Sequence, residues 1–248
     1  MSILQKIVAN TKANLVLKKA EFPLEKIQGS LENLKLPRGK FKDHISNKDE
    51  AIIAEIKKAS PSAGVIKEDF DPTKIAMDYE SFGASALSIL TEEDFFMGSV
   101  EYLKEVKKIT SLPILRKDFM IDEYQIYESK LIGADCILLI ASILTDQEIE
   151  DFINIAKKLE LDYLIEVHDE NELKRVEHFE DALIGVNNRN LETFEVDLNN
   201  SVRLKHTFRQ KNIFIAESGI KSREDMDYLK MNNIKVFLIG ESLMRGSF

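Results

Sequence analysis

The 248-residue sequence has no tryptophan and a single cysteine, Cys136. One cysteine forms no intramolecular disulfide, so nothing points to an oxidising compartment, and no Cys/His cluster has metal-ligand spacing. Without tryptophan the chain has no indole fluorescence of its own. Long apolar runs are missing too. Charge-free stretches such as Ser81 to Thr91 and Cys136 to Thr145 fall well short of the roughly 20 residues that span a bilayer. Met1 to Lys19 scatters four lysines among short apolar groups, unlike the continuous apolar stretch of a signal peptide. A cytoplasmic protein is expected, with no membrane contact. Positive charge is in deficit: 34 Lys and Arg against 43 Asp and Glu leave −9. Binding nucleic acid by overall charge is therefore not expected, because phosphates are neutralised by clustered Lys and Arg. A local site for an anionic ligand stays open.

What is present is the composition of a folded domain, 44% hydrophobic and 31% charged. From residue 51 onward, short runs rich in Ile, Leu and Val alternate with longer amphipathic segments, the pattern of repeated β-α units. The runs are Ala51 to Lys57, Ala86 to Leu90, Pro113 to Lys117, Cys136 to Ile140, Tyr163 to Glu166, Leu183 to Asn187, Ile213 to Glu217 and Lys235 to Ile239. Gln147 to Leu159 shows helical periodicity, Thr145 and Asp71-Pro72 read as helix starts, and Gly83 and Gly133 as helix ends. Eight such units fit an α/β fold, a closed (β/α)₈ TIM barrel. An open doubly wound sheet is the competitor, but its G-x-G-x-x-G turn is absent after the first run, where Lys57 to Ser62 stands. Residues 1–48 read as an N-terminal helical extension, with helices near Ile3 to Ala20 and Leu24 to Leu31. Too small to stand alone, it is expected to pack on one end of a single barrel domain spanning 1–248.

Strand ends are where the sequence departs from apolar character. In Ala51 to Lys57 the even positions are wholly apolar and suit the surrounding helices, so Glu55 and Lys57 point into the barrel. Lys117, Glu166, Asn187 and Glu217-Ser218 end other runs in the same way. Active sites of such barrels form at the C-terminal ends of several strands, and charges buried there are costly unless paired. Each residue also has an ordinary reading: a first solvated loop residue, a structural ion pair for Glu55 with Lys57, a turn residue for Asn187. Five such strand ends together favour chemistry. His168 reads as a loop residue and not as a proton shuttle. Phe96 and Phe119 follow strand ends and offer an aromatic wall. Gly219 and Gly240 turn the chain after the last two runs, where backbone N–H groups favour a phosphate, and Ser60 adds a hydroxyl from the first loop.

These segments resemble indole-3-glycerol phosphate synthase, a barrel enzyme of tryptophan biosynthesis. The resemblance rests on Ile53 to Ser62, Pro113 to Phe119, Leu164 to Val167, Gly185 to Leu191, Ala216 to Ile220 and Leu238 to Arg245, in family order. It implies closure of 1-(2-carboxyphenylamino)-1-deoxyribulose 5-phosphate to indole-3-glycerol phosphate with loss of carbon dioxide and water, without a redox cofactor or metal and without an obligate protein partner. By matching position, Lys117 resembles the general acid that polarises the ketone. Glu166 and Lys57 resemble the pair that manages protons in the dehydration, oriented by Glu55 and Asn187, with the division between the two lysines open. Arg189 is placed for the anthranilate carboxylate, and Glu217 and Ser218 complete the rim. Ser60, Gly219, Gly240 and the backbone of Glu241 correspond to phosphate contacts, and Phe96, Phe119 and Leu138 surround the ring. Phosphate and carboxylate anchors on opposite sides of the mouth would hold the reacting ends together.

Lys58 and Ala63 depart from the common Arg and Lys of the family's first loop, which implies a weaker phosphate grip. The final helix shrinks to about one turn. Two alternatives remain at this stage, a sugar-phosphate isomerase on a related barrel and a barrel that binds phosphorylated metabolites without catalysis. An isomerase calls for one acid and one base, in place of two lysines with two glutamates.

Overall fold

All eight apolar runs form strands, and the strands close on themselves. A computed structural model describes residues 2–32, 40–46, 48–191 and 193–248. Its barrel strands are β1 (Ala51–Ile56), β2 (Ala86–Leu90), β3 (Ile114–Lys117), β4 (Cys136–Ile140), β5 (Asp162–Val167), β6 (Leu183–Asn187), β7 (Phe214–Glu217) and β8 (Val236–Ile239). Neighbours pair in parallel, and β1 pairs with both β2 and β8. The expected TIM barrel is therefore observed. Strand limits differ by a residue at several ends: Lys57 lies just beyond β1, and Asp162 and Val167 extend β5.

Three helices precede the barrel: α1 (Ile3–Glu21), α2 (Leu24–Glu32) and α3 (Phe41–Ser46). Between strands lie α4 (Pro72–Phe82), α5 (Val100–Ile109), α6 (Glu123–Leu131), α7 (Asp146–Lys158), α8 (Glu170–Val176), α9 (Asn199–Thr207) and α10 (Arg223–Met231). The single turn α11 (Glu241–Met244) follows β8, as the short C-terminal sequence implied. Local chemistry sets these limits. Asp71 accepts hydrogen bonds from the Thr73 and Lys74 amides ahead of Pro72, and Thr145 and Glu148 form a reciprocal capping box. Gly83 ends α4 in the left-handed conformation, φ 95°.

Strand pleating separates two apolar layers. Ile52, Ala54 and Ile56 face the helices, while Ala51, Ile53, Leu115, Leu164, Ile215 and Leu238 fill the barrel interior. The N-terminal segment departs from the expectation of packing on one end, because it meets both. Phe41 and Ile45 of α3 join the interior cluster at the starts of the strands. Ile3, Leu4 and Ile7 of α1 line a cavity at the opposite mouth. Between them Leu15 and Ile27 pack with Tyr124 of α6. Helices this short bury little surface alone, so each occupies whatever apolar ground the barrel leaves uncovered. Residues 1, 33–39 and 47 of the expected extension lie outside the described residues. Among the described residues, no helix is long and apolar enough to cross a membrane.

Candidate active site

The C-terminal ends of the strands open into a cavity of about 640 Å³, lined by every site residue named from the sequence. Glu55 and Lys57, on the inward face of β1 and its end, pair at 2.5 Å. Lys117, from the end of β3, lies 2.5 Å from Glu217 Oε2 on β7 and 3.2 Å from Glu166 Oε2 on β5. Asn187 donates from Nδ2 to Glu166 Oε1 at 3.0 Å. Five strand ends thus converge on one charged cluster: Lys117, Glu166, Glu217 and Asn187 are joined by hydrogen bonds, and the Glu55–Lys57 pair is coupled to them through the charge of Lys117.

Burial and neighbouring charge act against each other throughout this network. Burial disfavours the Glu55 carboxylate, but Lys57 and Lys117 outweigh it and lower its pKa. Burial likewise works against Glu166, and Lys117, His168 and Asn187 together hold it well below the usual carboxylate range. Lys117 is kept cationic by Glu217, Glu166 and Glu55 despite its burial, with its pKa pushed up. For Glu217 burial wins over Lys117, and its carboxyl is pushed up to about 7. Its Oε1 has no hydrogen-bond partner among the described residues and fills the space left by Gly185.

Around these charges stand two further surfaces. Phe96 and Phe119 lie with ring centroids 5.9 Å apart, forming the expected aromatic wall beside Leu138. Their loops are fixed by carboxylates: Glu92 accepts the Phe95 and Phe96 amides, and Asp118 accepts that of Phe119. Next to this wall, where Ala59 N–H donates to the Phe96 carbonyl at 3.2 Å, Ser60 stands in a short antiparallel ladder opposite Gly64. Ser218 and Gly219 turn the chain after β7 with φ of 66° and 83°. Gly240 lies against the β1 pair, where a Cβ would come 2.2 Å from Glu55 Oε1 and 3.2 Å from Lys57 Nζ. Arg189 corrects one expectation. Its guanidinium sits 3.8 Å from the Glu241 carboxylate, beside the glycine turns and not across the mouth from them. The reason is topological, since β6, β7 and β8 are consecutive around the barrel.

A family profile described as Indole-3-glycerol phosphate synthase matches residues 4–247. The chain belongs to the indole-3-glycerol phosphate synthase family. An indole-3-glycerol phosphate synthase of Ruminiclostridium cellulolyticum is 47% identical over 245 residues, covering 98% of this chain and 94% of the relative. That of Acetivibrio thermocellus is also 47% identical, over 251 residues, with the same coverage of each. The solved 3-hexulose-6-phosphate synthase from Salmonella typhimurium overlays with a TM-score of 0.61 at 15% identity, covering 79% of this chain and 94% of that one. At that identity the likeness concerns the fold alone.

For a chain of this synthase family, the sequence missed part of the cavity wall. Ile3, Leu4 and Ile7 give no local signal, because their contact with the mouth depends on how α1 docks. Lys221, Ser247 and Arg245 also line the cavity, and Arg245 donates to Glu241 at 3.0 Å. His168 does sit in a bend after β5, as read, yet its ring returns to Glu166. The two residues are two apart in the chain, and that spacing was the available signal. Among the described residues no group of three His, Cys, Asp or Glu side chains is arranged to hold a metal ion.

Proposed function

We propose that the protein converts 1-(2-carboxyphenylamino)-1-deoxyribulose 5-phosphate into indole-3-glycerol phosphate, carbon dioxide and water, the carboxy-lyase step of tryptophan biosynthesis. Lys117 carries this reading: a buried ammonium group held between Glu166 and Glu217, in a cavity walled by Phe96 and Phe119. In ring closure the aromatic carbon bearing the carboxylate bonds to the ketone carbon, and the ketone oxygen takes a proton from Lys117. Loss of carbon dioxide returns the bonding electrons to the ring. The new hydroxyl then leaves as water with a second proton, supplied from Lys57, while Glu166 removes a proton from the five-membered ring. A low carboxylate pKa keeps Glu166 ionised and so free to accept a proton, and Asn187 orients it. Glu55 holds Lys57 in place, and Glu217 with Ser218 completes the rim.

Ser60, Gly219, Gly240 and the Glu241 amide form the phosphate grip in this reading, and Arg189 meets the carboxylate. Arg189 and Glu241 are paired without substrate, so an incoming carboxylate exchanges one carboxylate partner of Arg189 for another. Phe96, Phe119 and Leu138 sandwich the ring, and holding both substrate ends supplies proximity. The chain acts as one barrel domain over 1–248, with 1–48 as its extension. It works in the cytoplasm on a small phosphorylated molecule, without cofactor, metal, nucleic acid, membrane or obligate protein partner. The acidic net charge supports the exclusion of nucleic acid.

Product formation is read directly, because indole fluorescence rises over a protein without tryptophan. Purified protein given the substrate should show that rise, and Lys117→Ala should lower the rate by about 10²- to 10⁴-fold. A folded protein with intact substrate and no signal overturns the assignment.

A further inference from the structure

His168 has no part in the reaction as written and does not line the cavity. Its ring is nevertheless 17% exposed and wedged between two carboxylates, with Nε2 3.4 Å from Glu166 Oε1 and Nδ1 3.2 Å from Glu172 Oε2. The ring has little freedom to leave. Glu172 Oε2 also accepts the His168 backbone N–H at 2.7 Å. Asp169 accepts the Glu172 amide at 2.9 Å, which fixes the first turn of α8. From α9, Asn200 Nδ2 donates to the His168 carbonyl at 3.0 Å.

We propose that His168 is a positioning residue for Glu166, held by Glu172 and setting a positive charge 3.4 Å from Oε1, without a hydrogen bond to it, from the side away from the cavity. The inference rests on Glu166 being the base of the dehydration. Glu166 is otherwise gripped by Asn187 on Oε1 and by Lys117 on Oε2. When Lys117 turns to the ketone oxygen, Glu166 loses that cation, and His168 is the positive charge that stays. The charged groups facing the ring are Glu166 on β5 and Glu172 on α8. Those facing Glu166 are His168 and Lys117 on β3, and Glu55 on β1 and Glu217 on β7 lie in the same network.

Burial opposes the imidazolium, but the two carboxylates outweigh it and push its pKa up to about 10, so the ring is charged through neutrality. A cation beside Glu166 keeps it ionised to lower pH; without that cation the carboxylate takes up its proton at higher pH. The acidic limb of the kcat profile must then move upward.

The test compares His168→Gln, Glu172→Gln and Glu166→Gln in the full chain, with kcat and KM followed by product fluorescence over roughly pH 3 to 9, a range that reaches down to the acidic limb of a lowered carboxylate. Thermal unfolding reports on folding. In His168→Gln, kcat should fall about tenfold with KM nearly unchanged, and the acidic limb should rise by about one pH unit. Glu172→Gln should move both in the same direction and by less. If His168→Gln fails to fold, Glu172→Gln decides by the same shift. An acidic limb that stays in place while Glu166→Gln is inactive overturns the positioning role and leaves the base assignment standing. A Glu166→Gln variant that turns over normally overturns the base assignment first, and this inference with it.

Discussion

Glu217 is held where a carboxylate is least welcome, inside the barrel, with one oxygen on Lys117 and the other against Gly185. Its folded pKa of about 7 stands above the ordinary carboxyl value of 4.5. Between those values the folded chain binds more protons than the unfolded chain, so Glu217 costs stability as pH rises through that window. Glu217→Gln should therefore gain on the native protein from pH 4.5 to 7, by on the order of 1 kcal/mol per pH unit. Paired thermal melts across that range measure it, and a constant difference contradicts it. Gly185 is the companion position, in register with Glu166. A Cβ there would lie 2.1 Å from Glu217 Oε1 and 2.7 Å from Leu164 Cδ2. Gly185→Ala should destabilise by about 1–3 kcal/mol in urea titrations and should lower kcat by displacing Glu217.

At the scale of elements, β3 shows how far alternation carries and where it stops. Pleating placed Lys117 toward the interior from sequence alone, because a two-residue period is fixed by the backbone. The same rule sends Arg116 to the helix side, but it says nothing of what waits there. Arg116 is 1% exposed and ties β3 to its neighbours. Nε donates to Thr91 at 3.0 Å, Nη1 to Ser129 at 3.2 Å, and Nη2 reaches Asp118 and Glu128 at 3.1 and 2.7 Å. Since Asp118 also holds the Phe119 amide, this network fixes the loop that carries the aromatic wall. Arg116→Met strands two carboxylates in the interior and should cost about 3–5 kcal/mol, read from the urea midpoint. His168 and Arg116 share one reason for being illegible: side-chain direction past a strand end, or the partners on its outer side, are decided by distant elements. Helix starts were plainer. The Thr145 cap was read from its own neighbourhood, and Thr145→Ala should cost about 1 kcal/mol.

Across the whole molecule, the barrel and the convergence of its charged strand ends were visible in the sequence, whereas the course of the first helices was not. Periodicity marks a helix but not its docking place. Here α1 is tied over the mouth by Asn10 and Asn14, both donating to Asp94 at 2.5 and 2.9 Å, and by Lys19 on Asp122 at 2.7 Å. Asp94 sits two residues before Phe96, so the roof and the aromatic wall share a support. Asp94→Ala should raise KM several-fold with kcat little changed, on the view that it loosens substrate enclosure and touches no proton transfer. Equal loss in kcat would contradict that separation.

The ties of α1 also bear on the order in which the chain is made. Its anchors lie 80 to 103 residues further along, and the other cavity walls near residues 187–247 come later still. Helix α1 is thus made before every anchor that holds it and should be among the last pieces to reach its seat, and it carries Val16 and Leu17 exposed even afterwards. Contacts so distant in sequence form slowly. On refolding, secondary structure should return first, and turnover should lag until α1 closes over strands that follow it in the chain.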